Sequence, residues 1–249
     1  MAEITTVLLH GLLGDRHDWA SVTHHLTGPW LALDLPGHGE QRDLDVADFA
    51  ECDRWLRDTL SQHGVTRYRL AGYSLGGRIA LYHASLQPQG LTALWLENSH
   101  PGLPEVERAM RLAHDARWAR RFESEPLPTV LHDWYCQGVF SDLDTQEREH
   151  LIIRRLGNRG EAVAAMLRAT SLGHQPELRT WLATTTLPVT YVAGRRDHKF
   201  HNLACQLATP GSTIDLRVLD GGHNLHAALP EIYARELARW ATQPEEKST

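Results

Sequence analysis

The 249-residue chain lacks the features by which a polypeptide enters or crosses a membrane. No apolar run approaches the roughly 20 residues that span a bilayer. The first residues, Met1 to Ile4, lead straight into an apolar segment, without the basic region and apolar core of a signal peptide. We therefore expect a soluble protein that remains in the cytoplasm and has no membrane partner.

The chain also has no excess of positive charge, and cysteine and lysine are scarce. The formal net charge is −6, which argues against binding to nucleic acid or to an anionic membrane. Cys52, Cys136 and Cys205 are odd in number and follow no disulfide or metal pattern, as is typical of reduced cytoplasmic thiols. Of the 25 Lys and Arg residues, only Lys199 and Lys247 are lysines. The length suffices for one large α/β domain, alone or with an insertion.

What the sequence does contain is a serine between two glycines at the end of a strand-like segment. Residues 72–76 read Gly-Tyr-Ser-Leu-Gly, after a strand-like segment at 68–71 and before a helix-like run. This G-x-S-x-G context predicts a nucleophile elbow, a tight turn that presents the serine above the carboxyl ends of the strands. The following helix points its positive N-terminus at the same place. The context favours a nucleophilic Ser74 over an ordinary strand-to-helix turn.

A serine hydroxyl becomes reactive when a histidine can take its proton and an acid orients that histidine. In the α/β-hydrolase scaffold the three residues follow one another in the order Ser, acid, His, on loops after successive strands. Asp197 follows strand-like residues 189–193, and His223 follows strand-like residues 213–219. We therefore predict a catalytic triad of Ser74, Asp197 and His223.

Rival residues lie close to both partners. His226 is the main alternative base, but the glycine pair before His223 suits a tight turn that presents that ring. Asp215 lies inside a predicted strand and Asp220 lies too near His223, which leaves Asp197 as the acid. A histidine pair at positions 198 and 201 has no third ligand nearby, so no metal site is predicted.

A His-Gly pair after the first strand-like segment, residues 5–9, suggests an oxyanion hole. In this scaffold one backbone N–H comes from such a loop and the other from the residue after the nucleophile. The two expected donors are the backbone N–H groups of Leu12 and Leu75.

The order of the segments predicts an α/β protein with an α/β-hydrolase fold. Alternating strands and helices indicate a mostly parallel twisted sheet with helices on both faces. Between residues 101 and 186 only helix-like runs occur, at 105–122, 129–135, 145–156 and 161–171. We expect residues 1–100 and 187–249 to form the core, and residues 101–186 to form an inserted helical lid.

Several stretches resemble the 2-succinyl-6-hydroxy-2,4-cyclohexadiene-1-carboxylate synthase family of menaquinone biosynthesis. The resemblance spans nearly the whole chain, the lid included, and is carried by residues 72–78, 98–103, 125–127, 133–135, 166–173 and 222–226. Lids diverge among relatives on one fold, so this resemblance is more specific than the triad, which many activities share.

The resemblance implies a lyase that needs no metal or organic cofactor and eliminates pyruvate from a small tricarboxylate. It also implies that Arg78, Arg111 and Arg155 bind substrate carboxylates, and that Tyr73 and Trp134 belong to the pocket. Guanidinium groups suit this task because they can pair with both oxygens of a carboxylate. Arg78 lies one helical turn after Ser74. Since Arg154 adjoins Arg155, an error of one residue would exchange the two.

The sequence departs from the family in two places and leaves other functions open. Leu12 stands where the family commonly has an aromatic residue, and Arg195 and His198 stand where it more often has an acid and a serine. None of these changes removes a catalytic group. A serine hydrolase (an esterase, thioesterase or C–C bond hydrolase) acting on an anionic substrate is the main alternative, and a non-catalytic receptor is another. We expect a monomer or a small homo-oligomer.

Overall fold

The computed structural model describes residues 3–208 and 212–243. Residues 1–2, 209–211 and 244–249, which belong to the two expected core segments, lie outside the described residues. Six strands form one sheet: β1 (Thr5–Leu9), β2 (Trp30–Leu33), β3 (Tyr68–Tyr73), β4 (Leu91–Glu97), β5 (Val189–Gly194) and β6 (Ile214–Leu219). All neighbouring strands are parallel, in the order β2-β1-β3-β4-β5-β6.

Helices connect the strands and also fill the long segment between β4 and β5. They are α1 (Ala20–Thr23), α2 (Phe49–Gln62), α3 (Leu75–Ser85), α4 (Glu105–Ser124), α5 (Leu127–Trp134), α6 (Thr145–Arg155), α7 (Gly160–Ala169), α8 (Arg179–Thr184), α9 (His198–Leu207), α10 (Leu225–Ala228) and α11 (Pro230–Ala241). Single 3₁₀ turns lie at Arg16–Trp19, Gly39–Gln41 and Gly138–Phe140. Among the described residues, none of these helices has both the length and the apolar character that crossing a bilayer requires.

The alternation of side chains along the strands builds a core on each face of the sheet. Val7 and Leu9 point to the face covered by α2 and α3, whereas Leu8, between them, points to the face covered by α1 and α11. Residues of β3, β4 and β5 also divide between the two clusters. Burial of both faces explains why the strands read as continuous apolar runs rather than as an alternating pattern.

The helices between β4 and β5 have an apolar cluster of their own. Phe122 of α4, Leu131 of α5 and Leu167 of α7 belong to it. Leu13, from the loop after β1, is also a member and is 1% exposed. This contact places the lid helices above the carboxyl ends of β1 and β3, where the predicted site residues lie.

Candidate active site

Ser74 lies in a strained turn between β3 and α3. Its backbone φ is 50° and ψ is −109°, a combination that a non-glycine residue adopts at a cost of roughly 1–3 kcal/mol. The flanking glycines make the turn possible. A Cβ on Gly76 would lie 2.4 Å from the carbonyl oxygen of Leu9, and one on Gly72 would lie 2.5 Å from the Gly76 backbone. The Ser74 N–H donates to the Glu97 carbonyl at 2.9 Å, which ties the turn to β4.

The structure brings Ser74, His223 and Asp197 into one hydrogen-bonded chain. The distance from His223 Nε2 to Ser74 Oγ is 3.3 Å, and that from His223 Nδ1 to Asp197 Oδ2 is 2.6 Å. The other oxygen of Asp197 accepts the N–H of Phe200 at 3.2 Å, so the carboxylate caps α9. Only 5% of Asp197 and 4% of His223 are exposed. The arrangement can move a proton from Ser74 to an imidazole whose cation a buried carboxylate stabilises.

The rival residues have other partners. His226 Nδ1 lies 2.8 Å from Glu97 Oε2, and neither side chain is exposed. Asp215 pairs with Arg217, and Asp220 lies 3.5 Å from Arg196 on the surface. The acid that meets His223 is therefore Asp197.

Two buried residues at the end of β4 hold the histidine loop, and the sequence did not single out either of them. Asn98 Nδ2 donates to the His223 carbonyl at 2.7 Å, while Asn98 Oδ1 accepts the Gly194 N–H at 3.2 Å. The Glu97 carboxylate accepts the Leu225 N–H at 2.7 Å. Because β4 lies between β3 and β5, polar residues at its end reach both neighbouring loops. Their position at the end of β4 was the feature that could have indicated a positioning role for Glu97 and Asn98.

The two expected oxyanion donors are free to bind a ligand. Within the described part of the chain, neither the Leu12 N–H nor the Leu75 N–H donates to another protein atom. Leu75 is the first residue of α3, where backbone N–H groups have no partner inside the helix. Their role as an oxyanion hole stays a prediction.

Two buried histidines brace the loop that carries Leu12. His10 Nε2 accepts the Leu35 N–H at 2.9 Å, and His38 Nε2 accepts the Leu13 N–H at 3.0 Å. An imidazole nitrogen accepts only while it is unprotonated. Burial, and next the nearby His10, lowers the pKa of His38 to about 3, and burial lowers the pKa of His10 as well. Both rings are therefore neutral at neutral pH.

These histidines predict that the fold loses stability in mild acid. Between pH 6.5 and about 3 the unfolded chain binds a proton on His38 that the folded chain excludes. The contribution is complete above pH 6.5, and the free energy of unfolding falls below it by about 1.4 kcal/mol per pH unit for each such histidine. Urea unfolding at pH 7.5, 6.0 and 5.0 measures the slope.

The substitution His38→Gln, whose amide oxygen replaces the Nε2 acceptor, should flatten that slope by one histidine's share. His24→Gln, at an exposed position, should leave it unchanged. An equal slope in the wild type and in His38→Gln would contradict the assignment.

A cavity of about 790 Å³ opens above Ser74 and His223, between the sheet and the lid helices. Three of the predicted substrate-binding residues line it: Arg78, Arg111 and Trp134. Tyr73 does not, because its ring packs against His223 and His226, with centroids 5.3 and 4.9 Å away. Tyr73 is thus placed behind the histidine rather than on the cavity wall. Among residues 3–208 and 212–243, no group of three or more His, Cys, Asp or Glu side chains could hold a metal ion.

Arg78 is a cation held by uncharged groups. Its Nε donates to Gln175 Oε1 at 2.8 Å, and its terminal nitrogen donates to the Thr170 carbonyl. No carboxylate of the described residues lies within 4.0 Å of it. Burial, and next the neighbouring Arg111, lowers the pKa of Arg78 to about 9. An anion in the cavity would offset both effects, because it pairs with the buried guanidinium and screens it from Arg111.

Arg111 is anchored on one side only. Its Nε donates to both oxygens of the buried Asp115, each at 2.8 Å. This contact fixes the side chain against α4 and leaves its terminal nitrogens available to the cavity. Arg78 and Arg111 therefore lie on one wall of the cavity as oriented donors.

The structure corrects the expectation for Arg155. Its two terminal nitrogens donate to Asp18 at 2.9 and 2.7 Å, and only 4% of the residue is exposed. Arg154 also contacts Asp18, at 2.7 Å. Asp18 follows the loop that carries Leu12, so the ion pair joins the lid helix α6 to the core. The two terminal nitrogens of Arg155 are thus engaged by a protein carboxylate, and Arg155 does not line the cavity.

This ion pair predicts a stability effect. We expect Arg155→Met to lower the free energy of unfolding by about 3 kcal/mol, because it leaves the buried Asp18 carboxylate without its bidentate partner. Arg154→Met, at a half-exposed position, should cost about 1 kcal/mol or less. Urea unfolding measures both. A raised KM with unchanged stability in Arg155→Met would instead support substrate binding by Arg155.

The parallel sheet, the strained serine between β3 and α3, and the histidine and acid after β6 and β5 define an α/β-hydrolase fold. The family model described as alpha/beta hydrolase matches residues 6–236. Two relatives named 2-succinyl-6-hydroxy-2,4-cyclohexadiene-1-carboxylate synthase match over 241 residues. The one from Pectobacterium atrosepticum is 48% identical, covering 96% of this chain and 94% of its own. The one from Yersinia pseudotuberculosis is 49% identical, covering 95% and 87%.

Solved structures agree with this placement. A structure of MenH from S. aureus has a TM-score of 0.87 and 26% identity, covering 95% of this chain and 92% of its own. A thermophilic esterase from Thermogutta terrifontis, at 21% identity and a TM-score of 0.77, covers 95% and 89% and shows the shared fold. The chain belongs to the alpha/beta hydrolase family and, within it, to the 2-succinyl-6-hydroxy-2,4-cyclohexadiene-1-carboxylate synthase family.

Proposed function

We propose that the protein is a lyase of menaquinone biosynthesis that eliminates pyruvate from 2-succinyl-5-enolpyruvyl-6-hydroxy-3-cyclohexene-1-carboxylate. The product is 2-succinyl-6-hydroxy-2,4-cyclohexadiene-1-carboxylate, the compound in the name of the relatives that share almost half of its residues. The observation that carries the proposal is the cavity itself. Ser74, His223 and Asp197 line this cavity together with Arg78, which has no carboxylate partner among the described residues.

The charge of the cavity suits this substrate better than a simple ester. The substrate carries three carboxylates, on the ring, the succinyl chain and the enolpyruvyl group. An esterase for apolar acyl groups would need an apolar pocket. Here Arg78 and Arg111 line the space above Ser74. Oriented guanidinium groups can hold carboxylates and fix the ring relative to the serine.

In the proposed mechanism Ser74 acts as a base. Its Oγ takes the proton beside the succinyl ketone, while its own proton passes to His223 Nε2, 3.3 Å away. The electron pair of the broken C–H bond forms an enolate and then the new ring double bond as the C–O bond to the enolpyruvyl group breaks. The leaving enolate of pyruvate takes up a proton, which the His223 imidazolium can return. Asp197, 2.6 Å from His223 Nδ1, stabilises the cation in between.

The free N–H groups of Leu12 and Leu75 would hold the oxygen on which the enolate charge develops. Removing one such donor typically costs about a hundred- to a thousandfold in rate in acyl-transfer enzymes. The reaction needs no metal or organic cofactor, because pyruvate leaves as a stabilised anion. No acyl-enzyme forms along this route.

We also infer that the enzyme works in the cytoplasm, on a small molecule and without nucleic acid, as a monomer or small homo-oligomer. Its thiols support the location: Cys52 is buried, and Cys136 and Cys205 are exposed and unpaired within the described residues. An oxidising compartment would favour pairing of exposed thiols.

The decisive assay measures pyruvate release from the enolpyruvyl substrate, coupled to reduction of the pyruvate by lactate dehydrogenase. Hydrolysis of p-nitrophenyl acetate is followed beside it. We expect saturable pyruvate release and little ester hydrolysis. Strong ester turnover without pyruvate release would overturn the lyase assignment in favour of a serine hydrolase. No turnover of either compound, with binding retained, would indicate a receptor.

A further inference from the structure

The cavity offers a cation that the residue assignments leave unused. Three substrate carboxylates need partners, and Arg155 is already bound to Asp18. Lys199, on the first turn of α9, lines the same cavity as Ser74 and Arg78. It is one of only two lysines in the chain, and it stands two residues after the acid of the triad.

Lys199 has no competing ion pair. Among the residues that the structure describes, no carboxylate oxygen lies within 4.0 Å of its Nζ, which lies 5.4 Å from the centre of the Phe200 ring. Burial, and next the positive charge of Arg111, lowers the pKa of Lys199. The ammonium is thus close to the cavity cations and lacks an anion of its own.

His100 supplies an uncharged donor on the same wall. Its Nδ1 accepts the Gly102 N–H at 3.2 Å, so the neutral ring carries its proton on Nε2. No protein acceptor within the described ranges meets that Nε2–H, and the ring lines the cavity while only 7% of the residue is exposed. The His100 carbonyl accepts from Gln175 Nε2 at 2.8 Å, and Gln175 in turn accepts from Arg78. Gln175 therefore fixes His100 and Arg78 relative to each other.

The electrostatics of His100 place it near the cations of the cavity. Burial, and then Lys199, Arg179, Arg78 and Arg111, lower its pKa to about 3. The ring stays neutral at neutral pH and donates one hydrogen bond without adding a charge. A carboxylate beside it would be attracted by the lysine and by both cavity arginines.

We propose that Lys199 and His100 form a further anion-binding subsite that holds a carboxylate of the substrate, next to Arg78 and Arg111. The ammonium group of Lys199 supplies the positive charge, and the Nε2–H of His100 donates a directional hydrogen bond. This subsite takes the contribution that the family resemblance implied for Arg155. The inference rests on the proposed function for the identity of the substrate, but not for the class of ligand, which is a small di- or tricarboxylate.

Two variants test the subsite with little change elsewhere. Lys199→Gln removes the charge and keeps a polar side chain. His100→Asn keeps an oxygen acceptor for the Gly102 N–H and removes the Nε2–H donor. We expect each to raise KM for pyruvate release about ten- to a hundredfold, as for loss of a hydrogen bond to a charged group, with kcat within about threefold. Lys199→Arg should restore most of the affinity.

The control is Arg195→Gln, which removes one positive charge from the loop directly before α9. Arg195 is exposed and does not line the cavity, so KM should change less than twofold. Equal changes in Lys199→Gln and Arg195→Gln would reduce the effect to overall charge and overturn the subsite. A fall in kcat at unchanged KM in Lys199→Gln would also overturn it.

A direct binding measurement separates this inference from the proposed reaction. Succinate is titrated calorimetrically into the wild type, Lys199→Gln and Arg195→Gln. We expect Kd to rise about tenfold or more in Lys199→Gln alone, whether or not the wild type releases pyruvate. If the wild type binds succinate in this manner but releases no pyruvate, the reaction is wrong and the subsite stands. If Lys199→Gln binds succinate as the wild type does, or the wild type does not bind it, the subsite is wrong.

Discussion

Replacing Ser74 with alanine is expected to lower kcat for pyruvate release by at least about a thousandfold, because the substitution removes the proposed base. His223 Nε2 lies 3.3 Å from the Ser74 hydroxyl and reaches the substrate proton through it. The substitution should leave the turn intact, because the turn geometry depends on Gly72 and Gly76 and not on the serine hydroxyl. Binding should persist, so Kd for succinate should change less than threefold.

The matched control is Ser85→Ala, at the other end of the same helix. Ser85 Oγ donates only to the Tyr82 carbonyl, at 2.6 Å, and lies outside the cavity. Steady-state kinetics on the two variants, with urea unfolding to confirm equal stability, separates chemistry from folding. A Ser74→Ala enzyme that retains more than about a tenth of wild-type kcat would exclude Ser74 as the base.

The α/β-hydrolase fold, and the residues that would form the triad, could be predicted from sequence because local patterns determine both. The turn around Ser74 demands glycines at 72 and 76, whose added Cβ atoms would lie within 2.5 Å of backbone atoms. Parallel strands bring their carboxyl ends to one edge, so loops after β3, β5 and β6 meet there. A residue directly after one of these strands must therefore lie near the same edge of the sheet.

The positions of lid side chains could not be predicted in the same way. Arg154 and Arg155 both lie near the end of α6, and both contact Asp18, which is 136 and 137 residues away in the chain. Helical periodicity tells which face of α6 is apolar, but not which core carboxylate that face meets. A guanidinium suits a substrate carboxylate and a protein carboxylate equally well. Only the packing of the lid on the loop after β1 decides between them.

Positioning residues were missed for a related reason. Glu97 and Asn98 follow an ordinary apolar strand, and nothing in their types indicates a site. Their importance comes from β4 lying between β3 and β5, so that Asn98 reaches both Gly194 and the His223 carbonyl. Lys199 was not predicted, because it lies two residues after the predicted acid in a segment expected to be a loop. The structure shows that this segment begins α9, with Asp197 as its N-cap.

The cap on α9 leads to the second large prediction, for Asp197→Asn. Asp197 Oδ1 accepts the Phe200 N–H at 3.2 Å, which an asparagine oxygen can continue to do. The asparagine NH₂ must then face His223 Nδ1, where Asp197 Oδ2 now lies at 2.6 Å. Nδ1 would have to accept that hydrogen bond, so the ring proton would move to Nε2, which could no longer take the Ser74 proton. We expect kcat to fall about a thousand- to ten-thousandfold with the fold intact.

Steady-state pyruvate release and succinate titration measure this effect, with Asp220→Asn as the control. Asp220 lies on the loop before His223 but pairs with Arg196 on the surface, so its substitution should change kcat less than twofold. A structural role for Asp197 predicts instead that Asp197→Asn loses stability and succinate affinity together with activity. The tautomer argument predicts loss of kcat alone, because the capping hydrogen bond to Phe200 and the walls of the cavity remain. An Asp197→Asn enzyme with kcat within tenfold of the wild type would show that His223 takes the serine proton without the aid of the Asp197 carboxylate.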